Sequence, residues 1–101
     1  MAYWIYIMGS DYGKAMYIGV TNDLLRRVRE HKSDMIDGFT KRYRCHKLLY
    51  YEQYPNIMNA IAREKQLKGW NRQKKRMLIE AFNPGFEDLD ENNSQFEIPD
   101  F

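Results

Sequence analysis

At 101 residues the chain is long enough for one domain, which would bury roughly 60 to 70 % of its unfolded surface, and too short for a second catalytic domain. Its single cysteine, Cys45, excludes an internal disulfide, and no Cys pair or His-rich cluster stands at zinc spacing, so a reducing, cytoplasmic setting is expected. The net charge of +2 conceals an asymmetry: all 16 Lys and Arg lie between Lys14 and Arg76, leaving +8 through residue 86 and six carboxylates beyond it.

Residues 3 to 8, Tyr-Trp-Ile-Tyr-Ile-Met, are aromatic and β-branched and read as a strand. Gly9 to Lys14 is rich in turn residues, and Met16 to Val20 reads as the return strand of a hairpin. Thr21 or Asn22 can cap a first helix, with Asp23 in its first turn, where the dipole favours an anion. Leu24, Arg27, Val28, His31 and Met35 fall on one face of that helix, so an arginine and a histidine interrupt an apolar stripe. Ser33 to Arg44 reads as a basic loop, and Lys47 to Gln53 as a third strand. Pro55-Asn56 opens a helix over 57–68, which Gly69 ends. There Ile57, Ala60, Ile61, Glu64 and Leu67 share a face that a carboxylate interrupts. A last helix from about Asn71 to Phe82 carries Arg72, Lys74, Lys75 and Arg76, with Met77, Leu78, Ile79 and Phe82 as its apolar side.

The order β-β-α-β-α-α predicts an α+β domain over 1–86, a three-stranded antiparallel sheet flanked by helices. Residues 87–101 form an acidic tail whose Phe96, Ile98 and Phe101 can pack on the body, or whose carboxylates can compete with nucleic acid for its basic surface. No run of about 18 apolar residues appears, and the N-terminal stretch lacks the pattern of a signal peptide. A soluble protein without a membrane partner is expected.

Burying charge without partners is costly, so Arg27, His31 and Glu64 are expected to line one polar pocket. Those residue types suit phosphodiester hydrolysis. Arg27 offers a fixed cationic fork for phosphate oxygens. A magnesium ion needs only one or two carboxylates beside phosphate and water, so Glu64 suffices as its protein ligand. A tyrosine is a poor base at neutral pH unless a neighbour takes its proton, and His31 is the candidate. On that basis activity should rise with pH as His31 loses its proton.

Trp4-Ile5-Tyr6 on the first strand, Tyr17-Ile18-Gly19 on the second, Arg27 and His31 one turn apart, and Glu64 on a later helix together resemble the GIY-YIG nuclease superfamily, in particular its small stand-alone members. The likeness covers roughly residues 3 to 84. It implies that Tyr6 and Tyr17 flank the bond to be cut, that Arg27 and His31 are catalytic, that Glu64 holds magnesium or manganese, and that Asn83 supports the site from the end of the last helix. Tyr6 relayed through His31 is the favoured base and Tyr17 the second water-positioning hydroxyl, an order the residues themselves leave open. Trp4 departs from the glycine usual in the first motif, at a position that serves strand packing. A lysine that some relatives carry after the second motif is absent, Thr21, Asn22 and Asp23 filling that stretch. The implied activity is a metal-dependent endonuclease acting on DNA, structure-specific and serving repair or recombination; the alternative is a nucleic-acid-binding module that keeps the fold without catalysis. Arg26, Lys41, Arg42, Arg44, Lys74, Lys75 and Arg76 are the candidate backbone-phosphate contacts. His46, with no partner at motif spacing, reads as structural.

Overall fold

The computed structural model describes residues 1–36 and 38–90. The central strand, β1 (Tyr3–Gly9), is flanked by β2 (Met16–Thr21) and β3 (Lys47–Tyr54) in an antiparallel sheet of order β2-β1-β3. A central strand that is apolar along its whole length requires cover on both faces. Ile5 and Ile7 pack with Ile18, Leu49, Tyr50, Ala60, Leu67, Ile79 and Phe86 on one side. Trp4, Tyr6 and Met8 pack with Leu24, Val28, Cys45 and Leu48 on the other. A bulge between Ile7 and Met8 admits Leu49 as an extra β3 residue, so that Leu49 and Tyr50 serve the same core while Leu48 serves the other.

Helix α1 (Leu24–Lys32) is capped by Asp23, whose carboxylate accepts from Arg26 N at 3.2 Å. The cap thus falls one residue after Asn22 and two after Thr21, the expected positions. Thr21 instead stabilises the approach, its Oγ1 accepting from Asp23 N at 3.0 Å. Because α1 ends at Lys32, Met35 falls outside the helix that its spacing implied and is 74 % exposed. The segment expected to be loop throughout contains a short helix, α2 (Phe39–Arg42), entered through Gly38 at φ 107°. Helix α3 (Ile57–Lys68) is capped by Asn56 and α4 (Arg72–Phe82) by Asn71, through bonds of 2.9 and 2.8 Å from Asn59 N and Lys74 N. Consecutive residues cannot share a helix face, so of the apolar run on α4 only Ile79 is buried, with Leu78 half-buried and Met77 exposed. Phe82 is partly exposed yet sets its ring against those of Tyr50 and Tyr51.

Beyond α4 the chain does not leave the body at residue 86. Leu89 N donates to Leu48 O at 2.9 Å and Asp88 Oδ1 accepts from Leu48 N at 3.2 Å, covering part of the outer edge of β3. Asp88 and Asp90 also hold Lys32 Nζ at 2.5 and 3.0 Å, which joins this strap to the end of α1. Burial alone would lower the Lys32 pKa, but these carboxylates raise it and keep the ammonium charged. Of the described carboxylates beyond residue 86, Asp88 and Asp90 are therefore engaged in the fold, while Glu91, Glu97 and Asp100, with Phe96, Ile98 and Phe101, lie outside the described residues. Among the described residues no helix is long and apolar enough to cross a membrane.

Replacing Asp88 with Ala leaves Leu48 N–H unpaired and Lys32 without its nearest anion. The expected cost is about 2 kcal/mol, read as a fall in melting temperature of about 10 °C. An unchanged melting temperature would show that the strap does not stabilise the body.

Candidate active site

The hairpin and α1 bring three rings together. Tyr6 stands opposite Gly19 in the β1–β2 register, and a Cβ built on Gly19 would lie 2.5 Å from the Tyr6 hydroxyl oxygen. The glycine of Tyr17-Ile18-Gly19 is thus the space in which the Tyr6 phenol lies. The Tyr6 hydroxyl meets His31 Nε2 at 2.8 Å, and the Tyr17 ring sits 5.2 Å from the imidazole and 6.3 Å from the Tyr6 ring. Tyr6 is 1 % exposed and His31 0 %, whereas Tyr17 is half-buried. Two polar groups can be buried so completely because each satisfies the other.

Burial pushes the Tyr6 phenol up to about 12, against the pull of the nearby Arg27 guanidinium, while Tyr17 and Glu64 add to the rise. Burial likewise pushes the His31 imidazole down to about 4, helped by the nearby charge of Arg27. In the resting protein the proton therefore stays on Tyr6, and His31 is neutral well below neutral pH. A rise of activity through the ordinary histidine range, expected from the sequence, is not set by His31 in this environment.

Arg27, one turn before His31, is half-buried and also pairs with Glu30 at 3.3 Å. Glu64 lies on α3 with its side chain 20 % exposed, close enough to Tyr6 for its charge to be felt, and Lys68 Nζ stands 3.4 Å from it. Glu64 thus pairs with Lys68, one turn on, despite its place in an apolar stripe. Among the described residues no three His, Cys, Asp or Glu side chains group to hold a metal. One partly open carboxylate still fits a magnesium ion that takes its other ligands from phosphate and water. A cavity of about 270 Å³ runs beside Arg27, lined by Val20, Thr21, Asn22, Arg26 and Ile57 among others. The larger cavity of about 420 Å³, near Lys14, Arg44 and Lys47, includes none of the five residues just described.

Asn83 is not gathered into this cluster by any hydrogen bond. Its amide donates to Leu49 O at 3.2 Å and Glu87 O at 2.8 Å and accepts from Glu87 N at 3.1 Å, shaping the turn into the C-terminal strap. The expected phosphate contacts also divide. Lys41, Arg42 and Arg44 are exposed on and after α2, and Arg26 is exposed beside Asp23 at 3.6 Å. Lys74 is exposed with its ammonium 4.3 Å over the Trp70 ring, and Lys75 is half-buried. Arg76, expected on a free basic face, donates to the Tyr12 carbonyl and stacks 4.6 Å over Phe86, so it holds the hairpin tip to α4. Arg72 reaches the carbonyls of Gly13 and Lys14 in the same way.

Several residues of the surroundings went unread in the sequence. Glu30 was visible at helical spacing from Arg27. Glu52 accepts from two Arg63 nitrogens, each at 3.0 Å, and from the hydroxyls of Tyr50 and Tyr54, a clamp between β3 and α3 immediately beside Glu64. Burial would raise the Glu52 pKa, but these donors hold it below the usual carboxylate range. Thr40, whose Oγ1 lies 2.9 Å from His31 Nδ1, had no local signal at all. His46 does have a partner, Asp34 Oδ1 at 2.7 Å.

The family model of the GIY-YIG catalytic domain matches residues 2–77. The chain is 31 % identical over 78 residues to a UPF0213 protein of Haloquadratum walsbyi, covering 77 % of this chain and 86 % of that one. It is 32 % identical to a UPF0213 protein of Bacillus pumilus and 33 % identical to one of Staphylococcus aureus, each over 77 % of this chain and over 79 % and 94 % of theirs. In fold it resembles the solution NMR structure of a UPF0213 protein from Bacillus halodurans, with a TM-score of 0.55, 24 % identity, and 98 % of this chain and 100 % of that one covered.

The depressed His31 pKa predicts a pH dependence of stability. The unfolded chain takes up a proton near 6.5, while folded His31 resists until about 4. Between those values the unfolded state binds more protons, so stability is full above 6.5 and falls as pH drops toward 4, by about 3 kcal/mol in all. Urea unfolding at a series of pH values should show this loss in the wild type and lack this component in His31→Gln. Identical pH dependences would mean that His31 protonates freely in the folded protein.

Proposed function

This chain belongs to the GIY-YIG catalytic-domain family, and from that membership we propose that it is a metal-dependent endonuclease that hydrolyses phosphodiester bonds in DNA. The observation that carries the reading is the convergence of Tyr6, Tyr17 and His31 at the foot of α1, with Arg27 on the same helix and the charge of Glu64 felt at Tyr6. These are the residue types that phosphodiester hydrolysis requires.

Arg27 binds the scissile phosphate, exchanging its half-buried pairing with Glu30 for phosphate oxygens. Tyr17, the less buried phenol, orients water on the open side of the cluster. Tyr6 and His31 form the buried proton pair behind it, with His31 ready to accept when the phenol becomes more acidic. Glu64 would hold a magnesium or manganese ion, which when bound supplies charge neutralisation at the phosphate and a more acidic water. The body charge of +8 through residue 86, with Lys41, Arg42 and Arg44 exposed together, supports nucleic acid as the partner. A structural feature of DNA is the proposed target, with work in repair or recombination in the cytoplasm.

A second reading has its own observation. Glu64 already contacts Lys68 and Arg27 already contacts Glu30, so both charged groups are neutralised within their helices. A binding module without catalysis would look the same. Incubating the protein with labelled duplex, branched and single-stranded DNA, and with RNA, in magnesium or manganese separates the two.

Glu64→Ala is expected to abolish metal-dependent cleavage while leaving DNA binding near wild type, because it removes the proposed metal ligand and lessens repulsion of phosphate. Arg27→Ala should slow cleavage by about 100-fold or more. Cleavage by either variant at the wild-type rate would remove that residue from the mechanism, and no cleavage of any substrate by the wild type would favour the binding module.

A further inference from the structure

Both nitrogens of the His31 ring are engaged, each by one hydroxyl. Tyr6 lies 2.8 Å from Nε2 and Thr40 Oγ1 lies 2.9 Å from Nδ1. Thr40 is itself 2 % exposed, and its carbonyl accepts from Cys45 N at 2.9 Å, so the residue is held at both ends. The direction of each bond follows from the two hydroxyls. A phenol is the stronger hydrogen-bond donor and the weaker acceptor, and an alkyl hydroxyl the reverse, so the Tyr6 hydrogen is directed at His31 Nε2 and Thr40 Oγ1 is left to accept. A neutral imidazole carries one ring proton, and burial keeps His31 neutral. The proton must then sit on Nδ1 and be donated to Thr40.

We propose that Thr40 is a positioning residue that locks His31 in the Nδ1-protonated tautomer, so that Nε2 stays free to accept the Tyr6 proton. The inference rests on the reading of Tyr6 and His31 as a proton pair of the nuclease. In the step it serves, the Tyr6 O–H bond breaks and an Nε2–H bond forms, giving a phenolate and an imidazolium that still donates from Nδ1 to Thr40. No other group is gained or lost. Without the Thr40 hydroxyl, the Nδ1–H would be buried with no acceptor, a costly arrangement. The proton would move to Nε2, which would then donate to Tyr6 instead of accepting from it, and the step could not begin.

Nitrogen-15 NMR of the histidine rings at neutral pH tests this, since His46 is the one other histidine in the chain and His31→Gln assigns the signals. Wild type should show His31 protonated at Nδ1. Thr40→Val, close in shape but without the hydroxyl, should shift the signals toward the Nε2-protonated form and lower kcat tenfold or more with little change in KM. Thr40→Ser should restore both. A wild-type ring protonated at Nε2 overturns the inference, and that measurement stands even if Thr40→Val fails to fold. So does a folded Thr40→Val with wild-type tautomer and kcat. Because the tautomer is read without substrate, a lock that behaves as expected in a protein that cleaves nothing supports the role of Thr40 while overturning the nuclease reading.

Discussion

The buried hydrogen bond between Tyr6 and His31, 2.8 Å long, is the constraint around which the rest is arranged. It joins the central strand to α1 at a point that water does not reach. Either group alone there would cost the desolvation of an unpaired polar atom, on the order of 1–3 kcal/mol. The pair therefore sets both the rotation of α1 and the depth at which it lies on the sheet. Gly19 follows from the same contact, because any side chain opposite Tyr6 would occupy the place of the phenol. Arg27, one turn earlier on α1, is presented to the same edge as a consequence.

The two helices that carry Arg27, His31 and Glu64 are each fastened beside the site by an ion pair to another part of the chain. On α1, Lys32 follows His31 and is held by Asp88 and Asp90. On α3, Arg63 precedes Glu64 and is held by Glu52 through two parallel bonds, within a cluster that Tyr50 and Tyr54 complete. Both clamps are largely shielded from solvent, so removing one partner strands a charge where water cannot repay it. A site built from four elements must hold them within fractions of an ångström, and these clamps act where an error in helix position would matter most.

The same economy shapes the charge distribution. Some basic residues bridge separate parts of the fold and others stay at the exposed surface. Arg72 and Arg76 reach the carbonyls of the hairpin tip, and Lys32 is spent on the C-terminal strap. Lys41, Arg42 and Arg44 remain exposed around α2, whose Thr40 reaches inward to His31. One short helix thus touches both the basic surface and the buried ring.

Sequence alone determined the element order, the central apolar strand and the helix faces that carry Arg27, His31 and Glu64. Those are properties of spacing within one element, where a period of 2 or 3.6 residues decides which side chains are neighbours. It also placed Arg76 among the phosphate contacts and residues 87–101 in a tail, because composition reports what a side chain can do and not which partner reaches it first. Only the tertiary structure decided that Thr40 meets His31 across a turn, that Asp88 returns across 56 residues to Lys32, and that burial holds the proton on Tyr6. Those outcomes depend on how separate elements dock and on the water their docking removes, and no local period encodes either.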